Sequence, residues 1–463
     1  MHMEKKNSSD HPHLSQPTLR TVWLSLFVIA GFFTHFNLNT NSAPRYSLTK
    51  SIVEEGTLAI TTTLPMVFDM EKAIDRAEFN GHMYSDKAPF GSFLGVPFYW
   101  ALAQMFPDEP VRVFFMSIVL NAFPFSLIGI LLFQFALRRK YSPFEAYCVV
   151  VPFMLGTNLL YWSTTLFSHP LTAFLLLCSI LALYERREPA FIFGAGLAYG
   201  CAVANDYYVV TGVPLLLVWM WLRSKKEFFM IVAGLSGPAL FLMGYHYTIF
   251  GNPFSLPYDH HIYFGQVHQQ GLSGIGLFSP VAMWTLWFSP SYGLFFFNPL
   301  LILFLWSMRS AYRNHKENFF VVGGLLLIFT FIVGSVQERT FGLGSSWGPR
   351  YLVCLIPLLI ITVVQNQTGS LVRRPLFAAL AVLSVVFNYL ILWVYILPPK
   401  YGALGWLFGD GLMLANRSGG HSALSSINQA YQMNIPTSAR VIFTLFVLLL
   451  PFVDLLLRKR AQH

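Results

Sequence analysis

Charge is what this chain has least of. Asp, Glu, Lys and Arg together are 11% of its 463 residues, against roughly a quarter in soluble domains. That shortage excludes a solvated globular enzyme and points to a chain immersed in lipid. Cysteine is scarce as well: Cys148, Cys178, Cys201 and Cys354 lie in or beside apolar runs. Their spacing matches neither a metal site nor a disulfide framework, so they read as small buried hydrophobes. No P-loop, dinucleotide fingerprint or HExxH helix occurs in the sequence, which excludes the chemistries those motifs carry. Internal repeats are absent too, and with them the usual sequence sign of a repeat-built transporter.

What remains is apolar. Hydrophobic residues make up 55% of the chain and aromatics 17%, with 45 Phe, and the mean hydropathy is +0.54. A membrane span takes about 20 apolar residues. On that rule the candidates are residues 20–38, 111–137, 144–160, 171–184, 190–204, 209–222, 228–247, 294–308, 319–336, 351–364, 376–397 and 441–457, about twelve spans in an all-α polytopic bundle. The pair within 190–222 is short enough to read as a hairpin that crosses only in part. Residues 1–19 read as a disordered cytoplasmic tail, and residues 20–463 as one integral membrane domain. No small-residue cleavage site follows the first apolar run, which therefore reads as a retained span.

The formal charge of +9 suggests nucleic acid only if it is gathered on one face. Instead the basic residues follow the even-numbered spans, in Arg138-Arg139-Lys140, Arg186-Arg187, Arg223 with Lys225-Lys226, Arg309 with Arg313 and Lys316, Arg373-Arg374 and Arg458-Lys459-Arg460. This is the positive-inside pattern. It predicts both termini in the cytoplasm and no nucleic-acid partner. The inward loops are too short to hold a nucleotide-sugar domain, so any substrate arrives from the membrane or the outer face. Four substantial loops face outward: 39–110, 250–292, 337–350 and 398–440.

The first outer loop carries a polar knot, DRAEFNGHMYSDKAPFGSFLG, from Asp75 to Gly95. Upstream, RYSLTKSIVEEG places Leu48, Ile52 and Val53 at helical spacing, which predicts an amphipathic helix on the membrane surface. Downstream, the apolar segment 93–106 lies between Pro89 and Pro107 and reads as a second interfacial helix, because a crossing there inverts the charge pattern. Within the knot, Asp75 and Asp86 offer proton acceptors and Lys87 a point charge suited to phosphate, with Tyr84 as a donor at the same depth. Solvated loop charges are the bland alternative for this cluster.

Further candidates lie at the outer ends of the spans. His169 precedes Pro170 where a helix begins, suiting a proton relay, a metal ligand or an interfacial hydrogen bond. Asp206 sits in an Asn-Asp turn, as a cap or a costly carboxylate at membrane depth. Asp259, His260, His261 and His268 make a loose metal-type set without a specific signature. Glu338, Arg339, Trp347 and Arg350 cluster among glycines. Arg350 opposes the positive-inside bias, which predicts a phosphate or carboxylate partner, or a side chain reaching for the interface. Asp410, Arg417 and His421 lie in the fourth outer loop, a flexible candidate for an acceptor region.

Taken together and in order, these patches resemble the GT-C superfamily of polyprenyl-phosphate-sugar-dependent glycosyltransferases. The style is that of the protein O-mannosyltransferase and lipid A aminoarabinose transferase group. The carriers are Arg45-Tyr46 leading the first helix, Asn80-Gly81, Tyr84, Asp86-Lys87, Pro89, His169, FGNPFSLPY and SSWGPRYL. The resemblance implies a helical membrane bundle with interfacial helices in the first outer loop. It implies a sugar on a polyprenyl phosphate, passed with inversion to a lipid, glycan or protein hydroxyl outside a bacterial inner membrane. It implies Asp86 or Asp75 as the base, with Lys87, Tyr84, Arg45, Tyr46, Arg350, His169 and Trp347 holding phosphate or sugar. A divalent metal between Asp86 and His169 is compatible with it. One departure stands out: relatives carry an acidic pair ahead of Arg-Tyr, where this chain has Asn41-Ser42-Ala43-Pro44. A lipid-linked sugar flippase and a non-catalytic assembly subunit are the competing readings.

Overall fold

A computed structural model describes residues 18–263, 276, 278–336, 346–367, 369–394, 406–411, 422 and 436–447. His268, Glu338, Arg339, Arg417, His421, the side chain of Asp410 and residues 448–457 of the last expected span lie outside the described residues. The chain is overwhelmingly helical, as its apolar runs demand: a buried backbone satisfies its own polar groups most simply as helix. Every expected span contains helix among its described residues, though the first, expected over 20–38, is helical only to Phe32. Among the described residues, four helices, Glu109–Arg138, Lys225–Phe250, Lys316–Gly334 and Pro375–Val394, are long and apolar enough to cross a membrane. The others are shorter apolar helices, among them Leu19–Phe32, His169–Glu185 and Pro189–Asn205. The third expected span is interrupted after Leu155 and resumes at Leu159. A helix at Pro280–Trp287, within residues expected to form the second outer loop, has no counterpart among the expected segments. The four cysteines are free.

One core of buried Leu, Ile, Val and Phe runs through the helices from Val22 to Val447. Its tightest seam joins Pro189–Asn205 to Lys225–Phe250. A Cβ on Gly196 lies 2.4 Å from the Ile231 carbonyl oxygen, and one on Gly234 lies 2.2 Å from that of Phe193. Only glycine permits this main-chain contact, the small-residue packing that holds helices together in lipid.

Residues 39–110, the first of the loops expected to face outward, form a folded platform. Ser42–Glu54 is helical as expected, but it is not one-sided: every residue from Ser42 to Ser51 is buried. The reason is that its polar positions find partners within the protein. Lys50 Nζ donates to Glu54 Oε1 at 2.8 Å, Glu109 Oε2 at 3.1 Å and Tyr99 Oη at 3.1 Å. The second expected interfacial segment is the helix Phe90–Met105. It buries Ser92, Gly95 and Tyr99 and exposes Leu94, Phe98, Trp100 and Met105.

Between these helices lies a two-stranded antiparallel hairpin, β1 (Arg76–Phe79) and β2 (His82–Ser85). Asn80-Gly81 turns it, with φ of 50° and 80°. Asn-Gly favours this turn because both central residues need positive φ. Phe79, Met83 and Tyr84 pack on a second core of Leu48, Ile60, Leu64, Tyr245, Ile249 and Phe250. Each such side chain, when fully buried, contributes about 1.5–3 kcal/mol. Both edges of the hairpin are covered. The Ile60 N–H donates to the Met83 carbonyl at 2.8 Å, and His261 forms a bridge with Ala77.

Candidate active site

The hairpin register builds the site. Arg76 pairs with Ser85, so the next residues outward, Asp75 and Asp86, face each other just past the ladder's end. Like charges placed opposite one another destabilise a strand pair. Lys87 resolves the conflict: its Nζ lies 2.7 Å from Asp86 Oδ2 and 2.9 Å from Asp75 Oδ2. All three side chains are largely withdrawn from water, with 11% exposure at Lys87, 14% at Asp75 and 2% at Asp86.

Electrostatics follows from that withdrawal. Burial pushes the Asp75 carboxyl up, but the Lys87 charge and hydrogen bond outweigh it and hold the group below the usual carboxylate range, with Arg350 adding to the effect. Burial pushes Lys87 down, and the Asp75 and Asp86 charges more than reverse this, raising it above the ordinary lysine range. Asp86 has an asymmetry of chemical interest. Oδ2 is engaged by Lys87, whereas Oδ1 is buried and has no hydrogen-bond partner among the described residues.

His261 completes the cluster, with Nε2 3.7 Å from Asp86 Oδ2. Its Nδ1 accepts the Tyr263 N–H at 3.2 Å. Nδ1 therefore carries no proton, and Nε2 does. Asp75, Asp86 and His261 present three ligand atoms within 4.8 Å of one another. The Lys87 ammonium already bonds both carboxylates, and the nitrogen of His261 turned toward Asp86 is protonated. The residues as arranged do not fit a divalent metal. The charge of Tyr258, if ionised, would also bear on Lys87, so this tyrosine belongs to the same neighbourhood.

A second buried ion cluster lies beside the first. Arg45 is 9% exposed; its Nη2 donates to Ser168 Oγ at 3.2 Å and lies 3.9 Å from Asp206 Oδ1. Ser168 Oγ in turn donates to Asp206 Oδ2 at 2.6 Å. Asp206 is thus an ion-pair partner, and its turn supplies only the framework. Arg45 Nη1 reaches the Ala88 carbonyl at 3.5 Å, tying this cluster to the residue after Lys87. Arg350 donates to Tyr351 Oη at 3.3 Å and its charge bears on both Asp75 and Asp206.

Several expected ligands have other partners. His169 Nδ1 lies 3.3 Å from Asp206 Oδ2, and the imidazole at Asp86 is that of His261, so the expected Asp86–His169 pair is replaced on both sides. Arg45 is held by Asp206 and Ser168 inside the protein. Tyr46 is fully buried and donates to Glu109 Oε1 at 2.5 Å. The Tyr84 ring packs toward Phe250, 6.2 Å away, on the hairpin's apolar side. Trp347 is a core residue with no exposure, beside Phe297 and Trp406. Asp75, Asp86, Lys87 and Arg350 do converge, joined by His261 and Tyr258. His261 was one of four residues in a loose set, and nothing in its own segment separates it from His260.

Compared with solved structures, the chain shares a fold with proteins that it resembles only distantly in sequence. The structures it resembles include ArnT from Cupriavidus metallidurans bound to undecaprenyl phosphate, with TM-score 0.51 and 13% identity over 95% of this chain and 76% of that one. The same protein in the apo state gives TM-score 0.50 and 12% identity over 95% and 75%. The archaeal oligosaccharyltransferase AglB from Archaeoglobus fulgidus, in complex with an inhibitory peptide and a dolichol-phosphate, aligns at TM-score 0.42 and 13% identity over 96% of this chain and 55% of that one. No family model matches the sequence, and no curated protein matches it.

Proposed function

We propose that the chain is a membrane glycosyltransferase that moves a sugar from a polyprenyl-phosphate carrier to an acceptor hydroxyl on the extracytoplasmic face, with inversion. The observation that carries this reading is Asp86: one carboxylate oxygen fastened to Lys87, the other buried and unpartnered. The fold shared with a protein bound to undecaprenyl phosphate supports a lipid-phosphate donor. The positive-inside pattern supports about twelve spans with both termini in the cytoplasm and the site outside.

In this mechanism the acceptor hydroxyl donates its proton to Asp86 Oδ1 as its oxygen attacks the anomeric carbon. The bond from that carbon to the phosphate oxygen breaks, and the polyprenyl phosphate leaves with the electron pair. Lys87 and Arg350 meet the charge that develops there, where little water competes. Asp75 holds Lys87 in place and does not touch substrate. The amide of Asn41 and the hydroxyl of Ser42, neither of them a carboxylate, leave Asp86 to act alone as base. The test is transfer by purified protein in proteoliposomes containing undecaprenyl-phosphate-linked sugars. Asp86→Asn is expected to lower turnover roughly a hundred- to ten-thousandfold, the usual range for a general base. Undiminished turnover in Asp86→Asn and Lys87→Ala alike removes the site. Mass spectrometry of the lipid-linked sugars that accumulate when the protein is absent identifies the donor.

A further inference from the structure

From the arrangement of Asp75, Asp86, His261 and Lys87 we infer that Lys87 is the resident cation of a latent metal site: its ammonium stands where a divalent ion would, so the site works without metal and acquires one only when Lys87 is removed. Three observations carry this. The ligand atoms of Asp75, Asp86 and His261 lie within 4.8 Å of one another, a carboxylate-imidazole set suited to Zn²⁺ or Mn²⁺. Lys87 Nζ bonds both carboxylates, at 2.7 and 2.9 Å, and so occupies the position of closest approach to each. The charge is also balanced. Two carboxylates face the Lys87 ammonium and the Arg350 guanidinium, whose charge bears on Asp75, leaving no excess to draw a dication.

The imidazole agrees with the charge count. His261 accepts the Tyr263 N–H at Nδ1, so the nitrogen facing Asp86 carries a proton and has no lone pair to offer. Ligation through Nε2 moves that proton to Nδ1 and gives up the backbone hydrogen bond. With Lys87 present, a metal must displace an ammonium and also break that bond. With Lys87 truncated, two facing carboxylates are left undercompensated, and metal binding relieves them.

The inference rests on the reading above only for what Lys87 greets, the phosphate of a lipid. Its metal chemistry is tested without any sugar donor. Detergent-purified full-length protein is incubated with Zn²⁺ or Mn²⁺, desalted, and its metal content measured by mass spectrometry, with thermal unfolding recorded with and without a chelator. Wild type is expected to retain no stoichiometric metal and to unfold identically with chelator. Lys87→Ala is expected to retain about one equivalent and to be stabilised by it, as metal binding couples to folding. The double variant Asp86→Asn with Lys87→Ala is expected to lose that metal. A wild type that carries one equivalent, or loses stability to chelator, overturns the inference whether or not the variants fold. So does a folded Lys87→Ala protein that takes up none. A metal-free wild type that also fails to bind undecaprenyl phosphate leaves this inference standing and removes the transferase reading.

Discussion

Replacing Lys87 by methionine keeps the length of the side chain and deletes its charge, leaving Asp75 and Asp86 opposed across the end of the hairpin. Breaking a buried ion pair by removing one partner costs about 3–5 kcal/mol. The exposures of 11%, 14% and 2% place this cluster in that regime. Arg350 still acts on Asp75, so the lower end, about 3 kcal/mol, is expected near neutral pH. In a chain of this size that lowers the apparent Tm by roughly 3–6 °C. The pH dependence gives the sharper signature. In the wild type the folded Asp75 lies below its ordinary value, so its contribution is present above about pH 4 and is lost as pH falls through the folded value. In the variant one carboxylate is raised by its neighbour, so the penalty is absent at low pH and grows as pH rises. The gap between the two proteins should be wide at pH 7.5 and close toward pH 4. Tryptophan-fluorescence melts in detergent across that range measure it. A variant within about 1 °C of wild type at pH 7.5, or a gap that widens toward acid, refutes the clamp.

Three other substitutions probe the surrounding architecture. Gly81→Val forces a β-branched residue to φ near 80°, costing about 1–2 kcal/mol or shifting the turn, and should abolish transfer while far-ultraviolet circular dichroism stays unchanged. Asp206→Ala leaves Arg45 buried without its carboxylate and should cost about 3–5 kcal/mol in thermal stability, with Asp206→Asn milder because it still accepts from Ser168. Lys50→Met releases Glu54 and Glu109, which are 35% and 29% exposed; water then solvates the freed charges, and melts should register only about 1 kcal/mol.

The helices in the apolar runs were legible because composition dominates them: a run of apolar residues in a charge-poor chain has one stable answer in lipid. The hairpin is legible in its turn and hidden in its strands. Asn80-Gly81 is a strong turn signal, but the flanking pattern is short: Arg76-Ala77-Glu78-Phe79 alternates over only four residues, and His82-Met83-Tyr84-Ser85 does not alternate. With the turn known, Asp75 and Asp86 become partners by counting outward. The candidate site was half legible for a different reason. Residue type suggested Arg45, Tyr46 and Trp347 as ligands, yet burial decides what a polar group meets, and burial is set by distant segments. Tyr46 meets Glu109 across 63 positions, and Arg45 meets Ser168 across 123. His261 enters the site because it forms an isolated bridge with Ala77, a tertiary event that its own sequence leaves unmarked.

The glycine seam between Pro189–Asn205 and Lys225–Phe250 has a mechanical consequence. Helices in contact through their main chains have no side-chain cushion in which to slide, so the pair shifts as one lever. Asp206 rides at the tip of one arm and the Tyr245–Phe250 support of the hairpin at the tip of the other. The two ion clusters therefore keep their spacing when that lever tilts. On the proposed function, a bulky carrier would have to enter by deforming a different wall, and the Phe90–Met105 helix, with Trp100 and Met105 exposed, is the candidate.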